Sequence, residues 1–196
     1  MSERKIDRRA LKTQKQLKIA LAEMLTKKEL RHITVQEVAD LADVHRVTFY
    51  KHYYDIYDLY DQLKQEVLAE LGLRTLRFHE EPAKEFGLEL IDYIQENPSI
   101  FKMIFSPYNT AELKHSFTTM IEGIFRLVRS EQTLVALDDS RLDYISAYWS
   151  SGCIAVIEKW VQSDFAHSKD FILQLIIDID VHMKEYLDKN FSNKNS

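Results

Sequence analysis

His45, Arg46, Thr48, Tyr50, Lys51 and His52 each carry a hydrogen-bond donor, and no acid interrupts the run from 45 to 52. Arginine is shaped for guanine O6 and N7, and Thr, Tyr and Lys suit phosphate oxygens, so this set can read double-stranded DNA. The same residues would also serve as the solvated face of a structural helix. What separates the two readings is whether something holds the run in a fixed frame. The surrounding stretch, TVQEVADLADVHRVTFYKHYYDIY over residues 34–57, supplies one. Thr34 can cap the amide of Glu37 while Glu37 reaches back to Thr34, a capping box. Val35, Val38, Ala39 and Ala42 then recur at helical spacing. Asp43-Val44 breaks that pattern, and a second, shorter helix is predicted over 46–52, docked by Val44 and Phe49. Two short helices joined by a tight turn form a helix-turn-helix, whose second helix can enter the major groove. Thr34, at the mouth of the first helix, is counted with the contact set.

The run over residues 35–59 resembles the N-terminal domain of the TetR family of transcriptional regulators. That pattern is a Thr-opened helix, Ile-Ala-x-x-Ala-Gly-Val, then x-x-Thr-aromatic-Tyr-x-His-Phe. Val38, Ala39, Ala42, Val44, Thr48, Phe49, Tyr50, His52 and Tyr53 fall on it. The resemblance covers about the first 65 residues. It implies a repressor that binds a palindromic operator as a homodimer and is released by a small-molecule effector held in a C-terminal domain. It places base contacts on Arg46 and Thr48, and phosphate contacts on Tyr50, Lys51 and Thr13. Three positions depart from the pattern. The turn glycine is Asp43, a residue that tolerates left-handed backbone better than most. The usual Ser or Asn opening the second helix is His45, a poorer cap. A lysine that often opens the following helix is Ile56.

Composition fits this frame. The chain has 196 residues with only four glycines and three prolines, which suits an all-α protein with few turns. No stretch of 18 apolar residues is present, and the N-terminus has no apolar signal-like core, so a cytoplasmic protein is expected. Cys153 is the only cysteine. Net charge is −5 but unevenly spread: residues 1–55 carry 12 basic and 8 acidic side chains, and residues 56–196 carry 14 and 23. A basic end on an acidic body is the distribution of a DNA-binding module.

Four segments are expected: a helix-turn-helix domain with a basic arm over 1–54, a connecting helix over 55–73, a helical effector-binding and dimerisation domain over 74–191, and a polar tail over 192–196. Asp55 and Asp58 are placed to cap the connecting helix. Arg74 to Pro82 reads as a polar connector. The C-terminal segment is rich in aromatics, and Tyr93, Phe101, Phe105, Phe117, Tyr144, Tyr148 and Trp149 are candidates to line a pocket. Its last two helices have wide apolar arcs, which a two-fold partner would cover. Ile154, Ile157, Val161, Leu175 and Ile179 are the candidates for that interface. No nucleotide-binding, nucleophile or metal-ligand spacing occurs, so neither an enzyme nor a bound cofactor or metal is expected. Two other functions remain open on sequence: an activator or adaptor governed by a protein partner, and a helical small-molecule binder whose DNA-reading motif is vestigial.

Overall fold

The computed structural model describes residues 8–78, 83–108, 111–132 and 139–191. The basic arm before Arg8 and the polar tail lie outside these residues. The described residues are helical, with no strand among them: α1 (Arg8–Leu25), α2 (Val35–Leu41), α3 (Arg46–Phe49), α4 (Ile56–Phe78), α5 (Ala83–Glu96), α6 (Pro98–Ile104), α7 (Ala111–Gln132), α8 (Asp139–Gln162) and α9 (Lys169–Phe191). A short 3-10 turn, Leu30–His32, separates α1 from α2. Contacts divide the chain into two compact units, Met1–Ala69 with Asn97–Leu113, and Glu70–Glu96 with Lys114–Ser196.

In the N-terminal unit, α1 packs against α2 and α6, and α2 packs against α3. Leu17, Ala20, Leu21 and Leu25 repeat at helical spacing on α1 and are buried. They meet a core that includes Val38 and Ala39 of α2, Phe49 of α3, Leu59 and Leu63 of α4, and Phe101 and Ile104 of α6. Fully burying a Leu or Phe side chain is worth about 1.5–3 kcal/mol, so these few residues dominate the unit's stability. The C-terminal domain expected from sequence, 74–191, includes residues 97–113. The contacts group them with the N-terminal helices instead. The Ser106 hydroxyl donates to the Leu25 carbonyl at 2.8 Å, satisfying an orphan acceptor at the end of α1. The Ser99 hydroxyl lies 3.3 Å from the Glu23 carboxylate.

The turn between α2 and α3 is a full Schellman motif. The Val44 amide donates to the Ala39 carbonyl at 3.0 Å, and the Asp43 amide to the Asp40 carbonyl at 3.2 Å. Asp43 takes the left-handed position, with φ 54°, where the family pattern has glycine. The turn closing α8 repeats this geometry. There the Phe165 amide donates to the Trp160 carbonyl at 3.0 Å, and Asp164 and Phe165 both have φ 59°. Left-handed backbone is strained for a bulky residue. Phe165 is compensated by an edge-on contact with Trp160 at 4.9 Å, whose indole N–H also donates to the His167 carbonyl at 2.8 Å.

In the C-terminal unit, α9 packs against α5 and α8. At Gly87 on α5 a side chain would collide with α9: a Cβ there would sit 2.9 Å from a methyl of Leu173. Ion pairs tie the helices at their surfaces, Lys169 to Asp92 at 2.5 Å, Lys114 to Glu158 at 2.8 Å, and Arg126 to Asp143. α4 runs to Phe78, so the first part of the expected polar connector, Arg74 to Phe78, is helical.

Tyr53 occupies the phenylalanine position of the family pattern, is 2% exposed, and its hydroxyl has no hydrogen-bond partner. Burial, with Glu66 and Asp58 nearby, pushes that hydroxyl's pKa upward. An unsatisfied buried hydroxyl costs about 1–3 kcal/mol. Tyr53→Phe is therefore expected to raise unfolding stability by roughly 1 kcal/mol or more in urea titrations. A loss of stability would mean that the hydroxyl is bonded in solution.

Candidate nucleic-acid interface and C-terminal cavity

The interface is built from the α2 cap outward. The capping box is present: the Thr34 hydroxyl accepts from the Glu37 amide at 3.3 Å, and Glu37 accepts from the Thr34 amide at 2.9 Å. Lys28 adds an ion pair to Glu37 at 2.6 Å. The Lys28 ammonium, followed by the Thr34 bonds, lowers the Glu37 carboxyl from 4.5 to about 2. The Thr34 hydroxyl donates its own proton to Glu37 at 2.9 Å. A phosphate can only accept, so Thr34 would have to surrender that bond to contact one.

α3 is shorter than the sequence predicts. Its α-helical turn covers Arg46–Phe49, and the chain then tightens into i→i−3 bonds, Lys51 to Thr48 at 3.2 Å and His52 to Phe49 at 2.9 Å. His45 opens the helix without a side-chain cap. Phe49 is fully buried and anchors the segment against Tyr53 at 5.7 Å. With that anchor fixed, His45, Arg46, Tyr50 and Lys51 are exposed, and Thr48 and His52 are half-buried. Arg46 donates to the Tyr50 hydroxyl at 3.1 Å and lies over its ring at 5.5 Å, so the two side chains form one cationic surface. Thr13, on α1, is half-buried.

Three exposed residues here were not singled out from sequence. Val47 is 71% exposed and Tyr54 84%, and Tyr57 is also open. Val47 lies off the stripe formed by Phe49, Tyr53, Ile56 and Tyr60, which are all buried. That offset was the available signal. An exposed valine between Arg46 and Thr48 suits contact with a thymine methyl. Tyr54 stands at the entry to α4, whose start is doubly capped. Asp55 accepts from the Tyr57 and Asp58 amides, each at 2.9 Å, and Asp58 accepts from the Tyr54 amide at 2.8 Å. The Tyr54 bond, with help from Gln62, holds the Asp58 carboxyl below its usual range.

The C-terminal unit holds a cavity of about 300 Å³ between α5, α7, α8 and α9. Its wall includes Leu90, Ile121, Phe125, Trp149, Leu173 and Asp180. Of the seven aromatics expected at a pocket, only Trp149 lines this cavity, stacked on Phe125 at 4.6 Å. Phe101 and Phe105 belong to the N-terminal unit and are buried there. Phe117 is buried but not on the wall. Tyr93 lies under the Arg74 guanidinium at 4.0 Å. Tyr144 and Tyr148 are 81% and 74% exposed.

The five residues expected at a dimer interface divide. Ile154, Ile157 and Val161 are buried inside their own subunit, and Ile157 is on the cavity wall. The exposed side of α8 is the opposite one. Leu175 and Ile179 on α9 are exposed, as are Tyr144, Tyr148, Gly152 and Ala155 on α8. Among the described residues no group of acids, histidines and cysteine is placed to hold a metal ion. None of the described helices is long and apolar enough to cross a membrane.

A two-unit, all-helical chain with a helix-turn-helix at one end has the architecture of a helical transcriptional regulator. Residues 81–179 match the TetR-type family model described as transcriptional regulator C-terminal region, and the chain belongs to this family of TetR transcriptional regulators. No curated protein matches it by sequence. Solved structures share the fold. A TetR transcriptional regulator from Streptococcus agalactiae aligns with TM-score 0.58 at 20% identity, over 88% of this chain and 96% of that one. The dihydroxyacetone kinase operon activator DhaS aligns with TM-score 0.59 at 17% identity, over 89% and 97%. FadR from Bacillus subtilis, in complex with stearoyl-CoA, aligns with TM-score 0.55 at 17% identity, over 83% and 96%.

Two substitutions test whether this surface makes both base and phosphate contacts. Arg46→Ala is expected to weaken binding to a specific site by roughly 1–3 kcal/mol and relax its sequence preference. Lys51→Ala should weaken binding to every sequence and reduce the salt slope by about one unit. Equal effects of both changes on all DNA would contradict this division.

Proposed function

We propose that the protein is a cytoplasmic, ligand-responsive repressor that binds a palindromic operator as a homodimer. The observation that carries this reading is the surface of α3. Arg46 and Val47 stand open on α3 and Tyr50 and Lys51 on the turn that follows it, with Phe49 anchoring the other side and no acid interrupting them. Arg46 and Thr48 are assigned to bases, and Val47 to a thymine methyl. Tyr50, Lys51 and Thr13 are assigned to phosphates, with His45 and His52 flanking them.

The dimer reading rests on α8 and α9. Tyr144, Tyr148, Gly152 and Ala155 follow one another at helical spacing on the exposed side of α8, and Phe171, Leu175 and Ile179 do so on α9. Gly152 is informative. A Cβ there would meet nothing within 4 Å. Its own subunit thus has no steric need for glycine, which costs about 0.5–1 kcal/mol against alanine in a helix interior. Close approach of a second helix is a reason to keep it. Two such pairs would form a four-helix bundle with two-fold symmetry.

The cavity is assigned to the effector. A ligand that binds one of two conformations more tightly shifts the population toward it, and the operator then sees fewer competent dimers. α4 and α7, which each contribute to both units, are covalent routes for that coupling. A competing reading is an activator controlled by a protein partner; of this, the name of DhaS bears on activation alone. The apolar cavity favours control by a small molecule.

Light scattering on the purified protein tests the assembly. Its mass should be about 46 kDa, twice the 23.2 kDa of the chain. Gly152→Trp, whose Cβ would meet no atom of its own subunit within 4 Å, should yield folded monomers with greatly weakened operator binding. A monomeric wild type at micromolar concentration, or a Gly152→Trp protein that dimerises normally, would overturn the dimer assignment.

A further inference from the structure

Gly87 interrupts an otherwise bulky stripe. On α5, Phe86, Leu90, Ile91 and Ile94 recur at helical spacing and are buried, and Gly87 sits among them with no side chain. It lies inside a helix of 14 residues, where glycine is less favourable than alanine. Its φ is not positive, so the backbone does not call for glycine either. The reason lies on the neighbouring helix. A Cβ at position 87 would come 2.9 Å from a δ-methyl of Leu173 on α9, well inside the roughly 3.5–4.0 Å at which two carbons rest. None of the other three glycines is crowded in this way: a Cβ on any of them would meet nothing within 4 Å. Gly87 and Leu173 both line the C-terminal cavity, so the crowded pair is part of its wall.

We infer that Gly87 sets the size of the ligand: its missing side chain lets Leu173 stand back and leaves room for a compact apolar molecule of about two fused rings. The inference rests on the cavity being the effector site. Size follows from volume. An apolar cavity of about 150 Å³ takes up benzene, and this one, about 300 Å³ with a mostly apolar wall, has twice that space. Its shape is held firmly, because six of the lining residues are isoleucines, whose β-branching restricts χ1. Leu173 branches one carbon further out, and the atom that a Cβ at 87 would strike is the free end of its side chain. That end can move, and in a close-packed interior the space open to it is the cavity it lines. A residue larger than glycine at 87 therefore converts ligand space into protein. A glycine kept only for packing α5 on α9 would affect stability and be indifferent to the size of what binds.

Calorimetric titration of the full-length protein with three uncharged probes that differ in ring number, benzyl alcohol, naphthalenemethanol and anthracenemethanol, tests this. The wild type should bind naphthalenemethanol most tightly. Gly87→Ala should weaken naphthalenemethanol by about tenfold or more, the scale of one methyl too many in a fitted pocket, and leave benzyl alcohol within about threefold. Leu173→Ala removes the methyl that the new Cβ would strike. Added to Gly87→Ala it should restore naphthalenemethanol binding, and alone it should shift the preference toward anthracenemethanol. If Gly87→Ala weakens all three probes alike or none of them, the size assignment falls while the cavity remains a ligand site. If Gly87→Ala does not fold, Leu173→Ala alone decides, and an unchanged ring preference overturns the assignment. If none of the three binds the wild type, the effector-site reading falls and takes the inference with it.

Discussion

A four-residue helix has almost no stability of its own, because nucleating a turn fixes several residues for very few hydrogen bonds. α3 therefore exists only because its surroundings hold it. Phe49 is fully buried on one side, and the Asp43 turn sets the entry angle on the other. The following tight turn carries the chain to Tyr53, whose ring closes over Phe49. Everything else in the N-terminal unit serves this arrangement. The buried stripe of α1 makes the platform, the Thr34–Glu37 box starts α2, and Asp55 and Asp58 start α4 where the tight turn ends. The chain accepts two local costs to keep it: a non-glycine residue in left-handed backbone at Asp43, and an unpartnered hydroxyl at Tyr53. Both fall within a few residues of α3.

The C-terminal unit faces a different constraint. Its long helices carry more apolar surface than one core can use, so each must decide what to do with its other side. On α8, Cys153, Ile154 and Ile157 turn inward, and the last part of the helix is locked by Trp160 and the strained Phe165 turn. The opposite side, from Tyr144 through Gly152, stays open. The inward side does not close completely. It leaves a cavity of about 300 Å³ with a mostly apolar wall.

Much of the N-terminal unit was legible in the sequence because its signals are local. A capping box, a helix-breaking Asp-Val pair and paired aspartates each act within four residues, so spacing alone reveals them. The helix ends at Pro98 and Ser106-Pro107 were legible for the same reason. Long-range questions were not. Nothing in residues 97–113 announces that Ser106 will bond the Leu25 carbonyl, so that segment was read with its chain neighbours. Hydrophobicity likewise could not sort α8. Ile154, Ile157 and Val161 and the tyrosines at 144 and 148 lie on different sides of a helix that is apolar nearly all round. Which side turns inward depends on α9 and α7, not on α8. Phe101 and Phe117 show the commoner fate of helical aromatics, which is simple burial. Val47 was passed over because valine looks like core, although its place off the Phe49 stripe turns it outward.

The proposed regulator depends on α3 reading DNA sequence and on two copies doing so together. Selection of random double-stranded DNA on the purified protein, at near-physiological salt, tests both at once. A palindrome is expected, with half-sites about one helical turn apart or somewhat more, roughly 34 Å between centres. Recovery of no common sequence, with binding that depends only on salt, would contradict it: the exposed face of α3 would then be a solvated surface, and the protein would act through something other than a DNA site.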